Sequence, residues 1–200
     1  MLSQKRLKHL YLDSKMSMFE IATDLDVSVS TVNWWMKKYQ IPKRLRSDAN
    51  YEKYNKNGDP FIIKKIASTD DAILYGIGVG LFWGEGNKVS TTSLRLGNTD
   101  PALIKNYLRF LREFCGVQEE KIRFGLQIFN DSNPVAAKKH WISELAASED
   151  QFMPTISIIA SQGKGTYRKK NQYGVVTVYV NNIKLVDWMH VQLENFSKPR

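Results

Sequence analysis

Residues 71–86, DAILYGIGVGLFWGEG, constrain this chain more than any other stretch. Ala72, Ile73, Leu74, Ile77, Val79, Leu81 and Phe82 make the run apolar enough for a helix buried almost all round. Gly76, Gly80 and Gly84 recur at every fourth position and so share one helix face. An interior glycine destabilises a helix by about 1 kcal/mol relative to alanine, so a face bare of side chains implies a compensating contact, most simply a second backbone packed very close. Glu85 falls in the last turn, where the helix dipole disfavours a carboxylate by about 0.3–1 kcal/mol. Two readings stand: tight packing inside one core, or a close helix crossing at which Glu85 is a metal ligand. The apolar run ends in Gly-Glu-Gly after about a dozen residues, short of the roughly 20 that a membrane span needs, so no membrane partner is expected.

The chain has 200 residues, 42% of them hydrophobic, enough for one sizeable core and a small accessory unit. Net charge is +9, and the excess is shared: residues 1–70 hold 13 Lys and Arg against 8 Asp and Glu, and residues 71–200 hold 16 against 12. A basic balance on both parts points to a polyanion whose affinity falls steeply with salt; nucleic acid and anionic membrane surfaces fit the charge alone equally well. Cys115 is the single cysteine, which excludes an internal disulfide and a thiolate metal cluster and suits a reducing, cytoplasmic setting. His9, His140 and His190 lack ligand spacing, so zinc is not expected.

Residues 1–44 read as three helices: Leu2 to Asp13, Ser17 to Asp24, and a third from Ser28 or Ser30 to Tyr39. Ser17 with Glu20 three residues on makes a capping box. Leu7, Leu10, Tyr11, Ile21, Ala22, Leu25, Val27, Val32, Trp35 and Met36 have the spacing of a shared core. The run SMFEIATDLDVSVSTV (17–32) resembles the helix-turn-helix of resolvases, invertases and many bacterial regulators, departing at Asp26, where glycine is common. The resemblance implies double-stranded DNA as partner, with Ser30, Thr31 and Asn33 at base edges in the major groove and Lys37 and Lys38 on phosphates. Trp34 is either partly exposed packing or a sugar-phosphate contact. Residues 45–69 read as a basic linker, and the neighbouring Lys43, Arg44 and Arg46 either follow a phosphate backbone or form a solvated charge run.

Beyond the glycine helix the pattern gives a strand at 93–98, a helix from the Asp100-Pro101 cap to Cys115, and a strand at 121–129. A helix at 133–147, strands at 155–161 and 173–180 and a helix at 182–196 follow, with an extra strand expected near 88–92. The run Gly78 to Gly86 resembles the motif of the LAGLIDADG homing-endonuclease family, best from Gly80 onward and departing at its first position and at Trp83, where an acid is usual.

For residues 70–200 the resemblance implies an α+β domain with an αββαββα core and one inserted helix. It also implies an antiparallel saddle along DNA that carries Arg95, Arg123, Gln127 and a hairpin with Lys164, Arg168, Lys169 and Lys170. It implies that two copies pack through Gly76, Gly80 and Gly84 as a homodimer. Glu85 and the Gly84 carbonyl would then hold Mg2+ at the scissile phosphate, making Glu85 the catalytic residue of a phosphodiester hydrolase. Magnesium suits such hard oxygen donors. The alternative is a non-catalytic transcription regulator on the same scaffold, similar to sporulation regulators that join such a domain to a helix-turn-helix. A resolvase-type recombinase lacks support, since no serine-nucleophile domain accompanies the helix-turn-helix.

Overall fold

A computed structural model describes residues 2–160 and 171–197 as two compact units, Met1–Asp59 and Pro60–Arg200. The first unit begins with α1 (Gln4–Lys8), capped by Ser3 and extended by a π-helical turn over His9–Asp13, and continues with α2 (Met18–Asp24) and α3 (Val29–Lys38). Ser17 and Glu20 form both hydrogen bonds of the capping box, and Ser28 caps α3 by accepting from the Thr31 amide at 3.1 Å. Leu2, Leu7, Tyr11, Ile21, Ala22, Val32, Met36 and Ile41 fill the core, with Leu10, Leu25, Val27 and Trp35 packed around them. Between α2 and α3 the chain turns through Asp26 at φ +51°.

The stretch 45–69, expected as a linker, is divided between the units. Its first part forms α4 (Arg46–Tyr54). Arg44 just before it stacks 4.3 Å over the Tyr11 ring, donates to the Lys15 and Met16 carbonyls at 3.0 and 2.8 Å, and pairs with Glu52. A guanidinium committed to so many internal acceptors is a clamp within the first unit, which corrects the two readings of Arg44 as a phosphate contact or a solvated charge. The side chain of Arg46 lies outside the described residues. In the second unit, the Ile62 and Lys64 amides donate to the Cys115 and Phe114 carbonyls, and Phe61 and Ile63 pack on the core.

The second unit runs α5 (Thr69–Glu85), β1 (Leu94–Asn98), α6 (Pro101–Arg109) with a π-helical continuation to Phe114, β2 (Ile122–Phe129), α7 (Pro134–Leu145), β3 (Ser157–Ile159), β4 (Val175–Val180) and α8 (Ile183–Ser197). The caps fall where the sequence puts them, Asp100 before Pro101 and Asn133 before Pro134. The sheet order is β1-β4-β2-β3. It is mixed rather than the expected antiparallel saddle: β4 runs antiparallel to β1 and β2, but β3 is parallel to β2 because α7 carries the chain back to the starting end. No strand forms at 88–92 among the described residues. There the Asn87 side chain accepts from the Val89 and Ser90 amides, a turn that leaves only the Gly86–Leu96 bridge.

Alternation decides the faces of the sheet. Leu94, Leu96, Ile122, Phe124, Leu126, Ile128, Val176, Val178 and Val180 are buried beneath the helices, in a core that includes Phe82, Tyr107, Phe110, Phe114 and Trp141. Arg95, Arg123, Gln127, Thr177 and Tyr179 stand on the other, open face. The expectation that α5 is buried nearly all round is corrected: Leu74, Val79 and Phe82 are buried, but Ile73 is 54% and Ile77 39% exposed. Only one side of α5 packs on α6, its continuation, β1 and α8. Among the described residues no helix is long and apolar enough to cross a membrane.

Candidate nucleic-acid interface

Three groups of the sequence-predicted residues occupy separate places. Ser30, Thr31, Asn33, Lys37 and Lys38 all lie on α3. Ser30 and both lysines are exposed, whereas Thr31 and Asn33 are half-buried. The Thr31 hydroxyl hydrogen-bonds to that of Ser28 at 2.9 Å, and Asn33 Oδ1 is buried without a hydrogen-bond partner among the described residues. Trp34 is 54% exposed with the Lys38 ammonium 4.9 Å from its ring centre, so α3 presents an indole, two ammonium groups and a hydroxyl on one surface.

The second place is the bare side of α5. An added Cβ at Gly76, Gly80 or Gly84 would meet nothing within 4 Å, and Ile73, Ile77 and Trp83 border this strip as exposed side chains. Gly78, on the opposite side, is the glycine used inside the unit: a Cβ there would overlap the Phe110 ring.

The third place is the open sheet face, where α5 ends. Glu85 with Gly86, Asn87, Lys88, Val89, Arg95, Gly97, Thr177 and Tyr179 lines a concavity of about 550 Å³. Its walls are held locally. The Lys88 ammonium donates to the Trp83 carbonyl at 2.6 Å, tying the turn after α5 to the helix C-terminus, where a cation is favoured. Arg95, Tyr179 and Arg123 are direct cross-strand neighbours, and the Arg95 guanidinium lies 5.5 Å over the Tyr179 ring. Arg123 donates to the Ile122 carbonyl at 3.1 Å and lies across Tyr179 from Arg95. Gln127 is on the same face but farther along β2, opposite Val175 and Ser157. Glu85 is exposed and, among the described residues, has no ion-pair partner.

The concavity therefore unites Glu85 with Arg95, but not with Arg123 or Gln127. Lys164, Arg168, Lys169 and Lys170 lie outside the described residues. Tyr179 and Thr177 were not among the expected contacts, although the phase of YGVVTVYV already sets them opposite the buried valines. Among the described residues no three His, Cys, Asp or Glu side chains gather as a metal site. Glu85 follows Gly84 at the end of α5, and a carboxylate and a backbone carbonyl are hard oxygen donors of the kind magnesium takes. Cys115 is buried, and burial pushes its thiol pKa up, away from nucleophilic use. No protein-family model, curated protein or solved structure matches the chain.

Proposed function

We propose that this chain is a sequence-specific DNA-binding protein that acts as a homodimeric, LAGLIDADG-type endonuclease. The observation that carries the reading is the strip Gly76, Gly80 and Gly84, open to solvent on an otherwise apolar helix that ends at Glu85. Solvent-facing glycines destabilise α5 and gain nothing within one chain; a twin α5 crossing close by accounts for them, and for the exposed Ile73 and Ile77 beside them. The two-fold axis then brings two Glu85 carboxylates together, and a two-fold symmetric partner implies a roughly palindromic target.

In this reading α3 supplies sequence recognition, Ser30, Thr31 and Asn33 facing bases and Lys37 and Lys38 facing phosphates. Arg95, Arg123 and Gln127 hold the backbone along the sheet. Glu85 and the Gly84 carbonyl hold Mg2+, which supplies Lewis-acid stabilisation of the scissile phosphate when bound. A second reading, a regulator that binds DNA without cutting it, is favoured by one residue: Trp83 stands exposed where the resemblance calls for an acid.

The test is purified full-length protein with Mg2+ and a randomised DNA library. Cleavage at a defined site is expected, and Glu85→Gln should lower it by at least about a hundredfold while leaving the protein folded. Cutting that is indifferent to Glu85→Gln rejects the assignment of Glu85. Specific binding with no cutting, and a melting temperature unmoved by Mg2+, selects the regulator.

A further inference from the structure

We propose that the concavity beside Glu85 receives an unpaired nucleotide, with its base held between the Tyr179 ring and the Arg95 guanidinium. The inference rests on the DNA-binding reading and names the form of DNA that this face takes.

Its ground is how the sheet clears space around one ring. Tyr179 is central in its row, with Arg95 on one side and Arg123 on the other. In the adjacent row Gly97, Thr177 and Gly125 are partners, so two of three positions carry no side chain. A Cβ on Gly125 would lie 2.8 Å from Tyr179 Cε2 and 3.3 Å from its hydroxyl oxygen, so the ring reclines along the sheet across bare backbone instead of standing upright. A Cβ on Gly97 would lie 2.7 Å from Thr177 Oγ1, which keeps the floor beside the ring equally low. The result is an aromatic ring on the wall of a concavity of about 550 Å³, within the range of a small-molecule cleft.

Base pairing decides which nucleotide can use such a face. A base inside a duplex has both faces covered by its neighbours and offers only its edge, which long polar side chains read. Reclined tyrosine and planar guanidinium recognise the faces of bases that are out of the stack. Arg95 now lies 5.5 Å above the ring, against the roughly 7 Å that a base between two planes occupies, so an exposed arginine has only to lift by one to two ångströms. Glu85 and Lys88 line the same concavity.

The experiment uses the full chain at low salt and three DNAs of one sequence: a perfect duplex, the same duplex with one extra unpaired adenine, and the single strand. A second set carries 2-aminopurine at the unpaired position, whose emission is quenched on stacking. The expected result is about tenfold tighter binding of the bulged duplex than of the perfect one, with quenching on binding. Tyr179→Leu and Gly125→Val should abolish that preference and Tyr179→Phe should retain it; if either core-strand variant fails to fold, Arg95→Ala on an exposed side chain should still reduce the quenching. Equal affinity for bulged and perfect duplexes, or a preference that survives Tyr179→Leu, overturns the inference while leaving duplex binding intact. Tightest binding of the single strand supports the stacking site and moves the substrate from bulged to fully unpaired DNA. Failure to bind any of the three overturns the DNA-binding reading as well.

Discussion

Asp71 shows how a single carboxylate anchors the helix on which the site depends. It sits in the first turn of α5, where the dipole favours it, pairs with the Lys64 ammonium at 2.6 Å and accepts from the Ala67 amide at 3.1 Å, while the Ser68 hydroxyl accepts from its amide. The Lys64 hydrogen bond and then the Ala67 amide hold its carboxyl at about 2, below the ordinary 3.8. Folding therefore opposes protonation: the stabilising contribution is complete above about pH 4 and is lost as the pH falls toward 2. Urea midpoints measured between pH 2 and 6 should fall on the acid side for the wild type, and Asp71→Asn should lower the midpoint at pH 6 while flattening that acid limb. An unchanged limb in the variant would assign the acid sensitivity elsewhere, first to Glu20, whose carboxyl is likewise held at about 2 by the Ser17 amide and Lys56.

At the scale of elements, the glycines of α5 separate into two kinds with opposite responses to one added methyl. Gly78→Ala drives a Cβ into the Phe110 ring inside a close-packed core and should destabilise the second unit by about 1–3 kcal/mol. Gly80→Ala meets nothing within 4 Å and should stabilise the isolated chain by about 1 kcal/mol, yet weaken its self-association, because the methyl stands where the twin helix would approach. Urea denaturation at low protein concentration reads the first effect and sedimentation equilibrium the second; a Gly80→Ala chain that associates as well as the wild type removes α5 from the interface. The spacing of Gly76, Gly80 and Gly84 was legible because helix periodicity is a local property, and so were the capping box, the Asp100 cap and the buried phase of β2. Asp26 was legible as an oddity, and its φ of +51° explains it: a turn that favours glycine is here occupied by an acid. What sequence could not reveal was non-local. The parallel placing of β3 follows from where α7 returns the chain. The clamp of Arg44 depends on carbonyls some thirty residues away in sequence. The concavity beside Glu85 exists only because β1 and β4 are neighbours, which no spacing within either strand encodes.

For the molecule as a whole, the net charge of +9 becomes a function only if the cations meet phosphates together. In the proposed reading, Lys37 and Lys38 on α3 and Arg95 and Arg123 on the sheet are the cations set on DNA phosphates. If two chains act together as proposed, eight of them meet one target, and with each neutralised phosphate contributing a slope of about −0.9, log Kobs against log salt should fall with a slope near −7 or steeper. Replacing Lys37 and Lys38 by glutamine in both chains removes four and should make the slope shallower by about 3 to 4. Gln127→Ala, which removes no charge, should leave the slope alone and weaken binding by a similar factor at every sequence. Fluorescence anisotropy across a salt series measures both. A wild-type slope shallower than about −3 would mean that fewer than four phosphates are met, too few for two chains acting together through α3 and the sheet, and a single chain using one surface would replace the dimer as the binding species.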